Sequence, residues 1–365
     1  MSENLRHRKS FFGAVSALMG VVIAIVIVEF GLGVLKPRID PAGQMDEGFI
    51  LYDSELGWKL APGWQGRHVH HDFEVTYRVN SLGFRGDDLD FARPGSVMFL
   101  GDSFTFGLGV NDDEVFTELL NQSSDLNHLN AGVPGYSNDQ QLLLLDTLME
   151  YRPVKVIWVV YLGNDLLDNG EPFPLQAAHG KPYFRITPEG RLSLQNVPVP
   201  LKPKPPAFTN KSVRSEILQG HEPYMFWQEW IESYEIGRIV NQWVGIDSEA
   251  LREHLQTSIQ DQIDLFMGII REGNAALANA GIELQVVLLP GQGLTREGSI
   301  PEIYQKTLSS VLTDELYSAD IDVLDMAGRL ETLENPGGLF HPNEGHFNRE
   351  GHRWLAEEFS SSASM

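Results

Sequence analysis

The chain has 365 residues, enough for one large domain with appendages or for two small ones. Its formal net charge of −23 argues against nucleic acid as a partner and weighs mildly against a polyanionic glycan, because little here replaces counterions along a phosphate backbone. Without cysteine it has no disulfide framework, no thiolate nucleophile and no cysteine-ligated zinc.

Residues 11–35 are apolar except for Ser16 and Glu29. A helix of roughly 20 residues crosses a hydrocarbon core of about 30 Å, so this run predicts a transmembrane anchor. It is longer than the roughly 7–15-residue apolar core of a cleaved leader, and no convincing small-x-small site follows. Arg6, Arg8 and Lys9 precede it, and only Lys36 and Arg38 closely follow. That bias places residues 1–10 in the cytoplasm and the rest on the extracytoplasmic, periplasmic side of the cytoplasmic membrane, held by a single pass. Residues 36–55, with two prolines and no periodicity, predict a linker. Residues 56–94 predict a small β-rich segment, alternation at 73–79 being the clearest strand signal. His68, His70 and His71 fall in it and are expected to be exposed. The period-2 spacing of His68 and His70 also suits two metal ligands, with no third evident.

From residue 97 the pattern becomes strand alternating with helix. Buried strands are expected at 97–100, 156–162 and 283–289, with shorter ones at 128–130 and 322–324. Helices are expected at 113–120, 140–150, 251–280 and 303–317, and from near 350. Such alternation predicts a parallel sheet covered by helices on both faces, with ligands bound beyond the carboxyl ends of its strands. Residues 170–245 interrupt the rhythm as a lid-like insertion. It holds a hairpin (183–187 and 191–194 about a turn at 188–190), a proline-rich stretch at 198–206, and the aromatics Tyr224, Phe226, Trp227, Trp230, Tyr234 and Trp243. Spacing at 227, 230 and 234 suits a helix packing stripe, and contact with a sugar or acyl chain is the alternative.

Four short islands carry chemistry: Gly101-Asp102-Ser103-Phe104, the run from Asn130 to Tyr136, Gly163-Asn164-Asp165, and His346-Phe347-Asn348 followed by Gly351-His352. Ser103 follows a strand and opens a helix, where it is either a nucleophile with a free N–H or only an N-cap. Gly135 offers a backbone N–H in a tight turn, and Asn164 a side-chain amide after a buried strand. Three donors aimed at one point (the N–H of Ser103, that of Gly135 and the Asn164 amide) make an oxyanion hole, and a hydroxyl, a base and such a hole are what acyl transfer requires.

With these residues in this order, residues 97–359 resemble the SGNH (GDSL-like) hydrolase superfamily, whose four blocks are matched by Ser103, Gly135, Asn164 and His346. Trp58, the segment Asn80-Ser81-Leu82-Gly83-Phe84-Arg85 and the hairpin after Asn164 look like its membrane-anchored bacterial members. The resemblance implies a flavodoxin-like three-layer αβα sandwich over residues 95–362, no metal or organic cofactor, and ester hydrolysis. The family's His-x-Asn-x-x-Gly-His pattern fits His346, Asn348, Gly351 and His352, while starting from His341 brings the Gly-His pair one residue early. His346 is therefore the expected base, and His352 is expected to pack or cap at the start of the last helix. The family's orienting aspartate, two or three residues before the histidine, is replaced by Glu344 or Asn343. Glu344 is the expected third member, with Asn343, or a dyad whose tautomer is set by a backbone carbonyl or water, as alternatives, and Asp102 and Asp165 read as structural. The expected function is a serine ester hydrolase acting on an O-acyl ester of an envelope glycan or lipid. Alternatives are an O-acetyltransferase for an exported polysaccharide, or a non-catalytic binding or assembly protein on the same fold.

Overall fold

The computed structural model describes residues 19–21, 23–29, 43–175, 177–209, 211, 213–217 and 248–362. It divides into two compact units, residues 1–39 with 218–246 and residues 40–217 with 247–365. In the first unit, residues 19–21 and 23–29 are helical and carry exposed apolar side chains, Ile27 at 65 %. Among the described residues no helix is long and apolar enough to cross a membrane. Most of the expected 11–35 anchor, and all six aromatics from Tyr224 to Trp243, lie outside the described residues.

The second unit begins with strands β1 (Gln44–Met45), β2 (Ile50–Asp53), β3 (Gly57–Leu60), β4 (Gln65–Val69) and β5 (Glu74–Arg78). They form two small antiparallel sheets, β1-β4-β5 and β2-β3. Two of these strands fall in the stretch expected to be a linker. Its turn residues had hidden the short pairings Gln44↔Val69 and Tyr52↔Trp58. His68 and His70 are corrected too: both are buried, at 2 % and 8 % exposure. Period-2 spacing places two side chains on one face of a strand without saying which face turns inward.

The main sheet has five parallel strands: β6 (Ser96–Gly101), β7 (Asn127–Gly132), β8 (Lys155–Tyr161), β11 (Glu283–Leu289) and β12 (Asp322–Asp325), in the order β12-β11-β8-β6-β7. Between β8 and β11 the hairpin β9 (Tyr183–Ile186) and β10 (Leu192–Gln195) pairs as the sequence predicts. The main order is that of the flavodoxin-like doubly wound sheet, whose direction of progression reverses at β6. Every residue of β6 is buried.

The helices flanking the sheet's strands are α1 (Ser103–Phe106), α2 (Phe116–Ser123), α3 (Asn138–Met149), α4 (Asp165–Asp168), α5 (Ser248–Ser258), α6 (Gln260–Ala280), α7 (Ile300–Ser318), α8 (Met326–Glu331) and α9 (Arg349–Ser362). Contacts pair α2 with α9 and α3 with α6. The crossovers into and out of β7 run in opposite directions, so right-handed connections put these pairs on opposite faces. The expected helix over 251–280 breaks at Ile259, whose ψ is 3°. That over 113–120 breaks at Val115, extended between a 3₁₀ turn and α2.

A buried ion pair fastens the start of the insertion to α3. Lys181 Nζ donates to Asp139 Oδ2 at 2.6 Å, both side chains being fully buried. Asp139 also accepts from the N–H groups of Gly170 and Phe184, each at 2.9 Å. Since a buried carboxylate is costly unless fully bonded, these donors hold the hairpin against α3.

Candidate active site

The reversal at β6 leaves a crevice beyond the strand ends, and Ser103 stands in it as the first residue of α1. The N-cap is Asp102, whose carboxylate accepts from Phe104 N at 2.9 Å, so the Ser103 hydroxyl is not used for capping. Close seating of α1 requires glycine on the neighbouring strand: a Cβ at Gly132 would lie 2.3 Å from Phe106 N. Asn130 ties the same helix down, donating to Thr105 O at 2.7 Å while accepting from Gly132 N at 3.0 Å.

His346 Nε2 lies 2.7 Å from Ser103 Oγ, and its Nδ1 lies 2.6 Å from Glu344 Oε1. Glu344 Oε2 also accepts from the backbone N–H of His346 at 3.0 Å. Burial works to raise the Glu344 carboxyl, yet the His346 imidazole and these hydrogen bonds hold it below the ordinary carboxylate range. An ionised carboxylate at Nδ1 puts the ring proton there and leaves Nε2 to accept from the serine. Asn343 points elsewhere, its side chain donating to Asp72 at 2.6 Å. His341 is held by Gly109 O at 3.1 Å from its Nε2, away from Ser103. His352 does cap a helix, but a different one from its own: Nδ1 accepts from Phe116 N, the first residue of α2, at 3.4 Å. Burial pushes its imidazole well below the usual range, consistent with a neutral acceptor.

Gly135 sits in a left-handed turn (φ +82°) after β7, and Asn164 is buried as the N-cap of α4. One Asn164 amide hydrogen goes to Asp168 Oδ2 at 2.6 Å. Burial pushes Asp102 and Asp168 each up to about 6 and lifts Asp165 well above the ordinary carboxylate range. All three serve as hydrogen-bond acceptors: Asp165 Oδ2 takes Tyr161 N at 3.0 Å and Asp168 Oδ1 takes Leu175 N at 2.7 Å. Phe104 stacks on Tyr161 with ring centroids 4.0 Å apart and lies 4.3 Å from the His346 ring. With Gln292 and Arg296 at the rim, they line a cavity of about 210 Å³ beside His346.

Three residues of the small β-rich segment reach the loops of this site, and sequence reasoning missed their roles. Trp58 Nε1 donates to Pro134 O at 3.0 Å, beside Gly135. Arg85, sandwiched between the Tyr77 and Phe106 rings, donates to the carbonyls of Phe106, Gly107 and Val110, at the end of α1 and just past it. Asp72 accepts from the backbone of Asn343 and Glu344. Trp58 and Arg85 belong to motifs noticed in the sequence, whereas Asp72 has no local signal. Among the described residues no group of three or more His, Asp or Glu is set to hold a metal ion.

No protein-family model matches the chain, and no curated protein matches it in sequence. Solved structures similar to it include a psychrotrophic esterase from Pseudoalteromonas sp., 12 % identical over 74 % of this chain and 97 % of that one, with a TM-score of 0.37. A lipase/acylhydrolase from Enterococcus faecalis is 11 % identical over 72 % and 92 %, also at 0.37. A member of the lipolytic G-D-S-L family from Veillonella parvula DSM 2008 is 14 % identical over 72 % and 94 %, at 0.36. At these scores the likenesses carry no functional argument, and function must be read from the side chains that the fold brings together.

Proposed function

We propose that this chain is a serine ester hydrolase working through an acyl-enzyme. The observation that carries the reading is the continuous line from Ser103 Oγ through His346 to Glu344, with contacts of 2.7 and 2.6 Å. Ser103 attacks the ester carbonyl as its proton passes to His346 Nε2, and the charge of Glu344 stabilises the imidazolium. The N–H groups of Ser103 and Gly135 and the second N–H of the Asn164 amide take the oxyanion. Collapse expels the alcohol, which receives its proton from His346. Water, activated by the same nitrogen, then releases the carboxylic acid and restores the serine.

The substrate class we assign is an O-acyl ester of an envelope glycan or lipid, cleaved outside the cytoplasmic membrane. The apolar run at 11–35 and the basic residues before it support that location. Turnover of p-nitrophenyl acetate and longer esters by the full-length chain, with and without a glycan acceptor, tests the reading. Hydrolysis that is indifferent to acceptor supports it. Acyl transfer that suppresses hydrolysis would make the protein an O-acetyltransferase. Inertness, together with no labelling of Ser103 by a phosphonate, would leave a binding protein.

A further inference from the structure

The loop 341–346, which carries both Glu344 and His346, closes on itself: His341 N donates to His346 O at 2.8 Å and Gly345 N to His341 O at 3.0 Å. That closure leaves the N–H groups of Asn343 and Glu344 side by side and pointing out of the loop. Consecutive backbone N–H groups of this kind form a concavity for an anion. Here the anion is the carboxylate of Asp72, from the turn between β4 and β5. Its Oδ2 accepts from Asn343 N at 2.8 Å and Glu344 N at 3.0 Å, and its Oδ1 accepts from Asn343 Nδ2 at 2.6 Å. The side chain is 4 % exposed. Beside it the Phe73 ring packs on His341 with centroids 4.9 Å apart, and His341 reaches Gly109 O. Gly109 N in turn donates to Tyr77 Oη at 2.8 Å, so the turn that bears Asp72 is tied into the loop that follows the serine.

We infer that Asp72 is a positioning residue for the His346–Glu344 pair: by gripping the backbone of residues 343–344 it sets where the Glu344 carboxylate meets the imidazole. The inference rests on the reading of Ser103, His346 and Glu344 given above. It also makes the β-rich segment part of the catalytic apparatus, because a residue from that segment holds the loop on which the base stands. Asp72 never touches the reacting atoms, and its effect runs through two backbone N–H groups. Misplacing a reacting group by an ångström typically costs about 10²-fold in rate, which sets the expected scale of the effect.

The test uses the full-length chain with Asp72→Ala and Asp72→Asn. For Asp72→Ala the expectation is a fall in kcat of about 10²-fold per folded molecule, with KM for p-nitrophenyl acetate little changed. Asp72→Asn keeps an oxygen for both backbone donors, so it should recover most of that turnover. A readout independent of activity is the far-downfield proton resonance of the His346 Nδ1–H···Glu344 bond, expected in the parent and in Asp72→Asn but broadened away in Asp72→Ala. A folded Asp72→Ala with unchanged kcat and an unchanged resonance would overturn the inference and leave Asp72 a purely structural tie. Should Asp72→Ala not fold, Asp72→Glu replaces it, keeping the charge while moving both acceptors by one methylene. A positioning role requires Asp72→Glu to lose turnover where Asp72→Asn retains it, and equal activity of the two would refute it. If the parent cleaves no ester, the reading of the site fails, and the resonance still decides Asp72: its loss in the variant supports the grip and its persistence overturns it.

Discussion

Replacing Glu344 with glutamine takes away one of two acceptors that His346 uses at once. Oε1 faces Nδ1 at 2.6 Å and Oε2 faces the backbone N–H at 3.0 Å. A glutamine amide has a single acceptor oxygen, so one of those donors must lose its partner. If the oxygen stays with the backbone, the NH₂ group faces the ring and drives its proton to Nε2, which then cannot accept from Ser103. If the oxygen turns to the ring, the tautomer is kept but the charge opposite the imidazolium is gone. With charge centres about 4 Å apart and an effective dielectric of about 20, that attraction is on the order of 4 kcal/mol, equivalent to about three decades in rate. We therefore expect kcat/KM for p-nitrophenyl acetate to fall about 10³-fold, less than the loss in Ser103→Ala, with the thermal transition nearly unmoved. Stopped-flow or steady-state release of p-nitrophenol at pH 7 to 8 reads this directly. Activity within about threefold of the parent would refute the role of Glu344, and a matching loss in Asn343→Ala would transfer that role to Asn343.

His346→Ala should be nearly as damaging as Ser103→Ala, and the double variant little worse than either, whereas His341→Ala should keep most turnover. A dead His341→Ala beside an active His346→Ala would reverse the assignment of the base. Asn164→Ala should lower kcat roughly 10²-fold with a smaller change in KM, because its amide acts on developing charge. A change in KM alone would make Asn164 a ground-state contact. Lys181→Met strands the buried Asp139 charge and should destabilise by about 3–5 kcal/mol in urea unfolding; an unchanged midpoint would show that the backbone donors to Asp139 suffice. Because burial raises the Asp168 carboxyl to about 6, above its unfolded value, the native state takes up a proton there. The stability tied to that proton is full at low pH and is lost as pH rises from about 4 through 6, so the parent should fall behind Asp168→Asn over that window, and parallel curves would contradict the raised value.

Much of the fold was legible because its strongest signals are local. Residues 283–289 form β11 with the bounds that apolar continuity suggested, and the hairpin appears about its Pro-Glu-Gly turn. The choice of His346 over His341 came from the family pattern that the last block resembles, and the structure puts His346, not His341, against Ser103. Gly135 and Asn164 were readable only as residue types after strands, and the structure places them in a left-handed turn after β7 and at the N-cap of α4. What escaped detection depends on pairing between distant segments. Asp139 and Lys181 both look like ordinary surface charges, and only the docking of the hairpin on α3 buries them together. His68 and His70 lay on an alternating strand whose inward face is chosen by what packs there, and Tyr77, 2.9 Å from His68, is part of that choice. The strands within the expected linker are so short that two or four residues of alternation cannot be told from a turn-rich tether.

The separation of Asp72 from its partners also has a consequence in time. A chain made from its N-terminus at about 5–20 residues per second needs roughly 14–54 s to extend from Asp72 to Asn343, 271 positions later. Until then the serine, the Gly135 turn and Asn164 are already synthesised, but the base and the loop gripped by Asp72 do not exist. Contacts of such long sequence separation close late and slowly. Under the reading proposed above, the nascent chain carries its nucleophile without its base for most of its synthesis, and reactivity waits on the docking of the final segment.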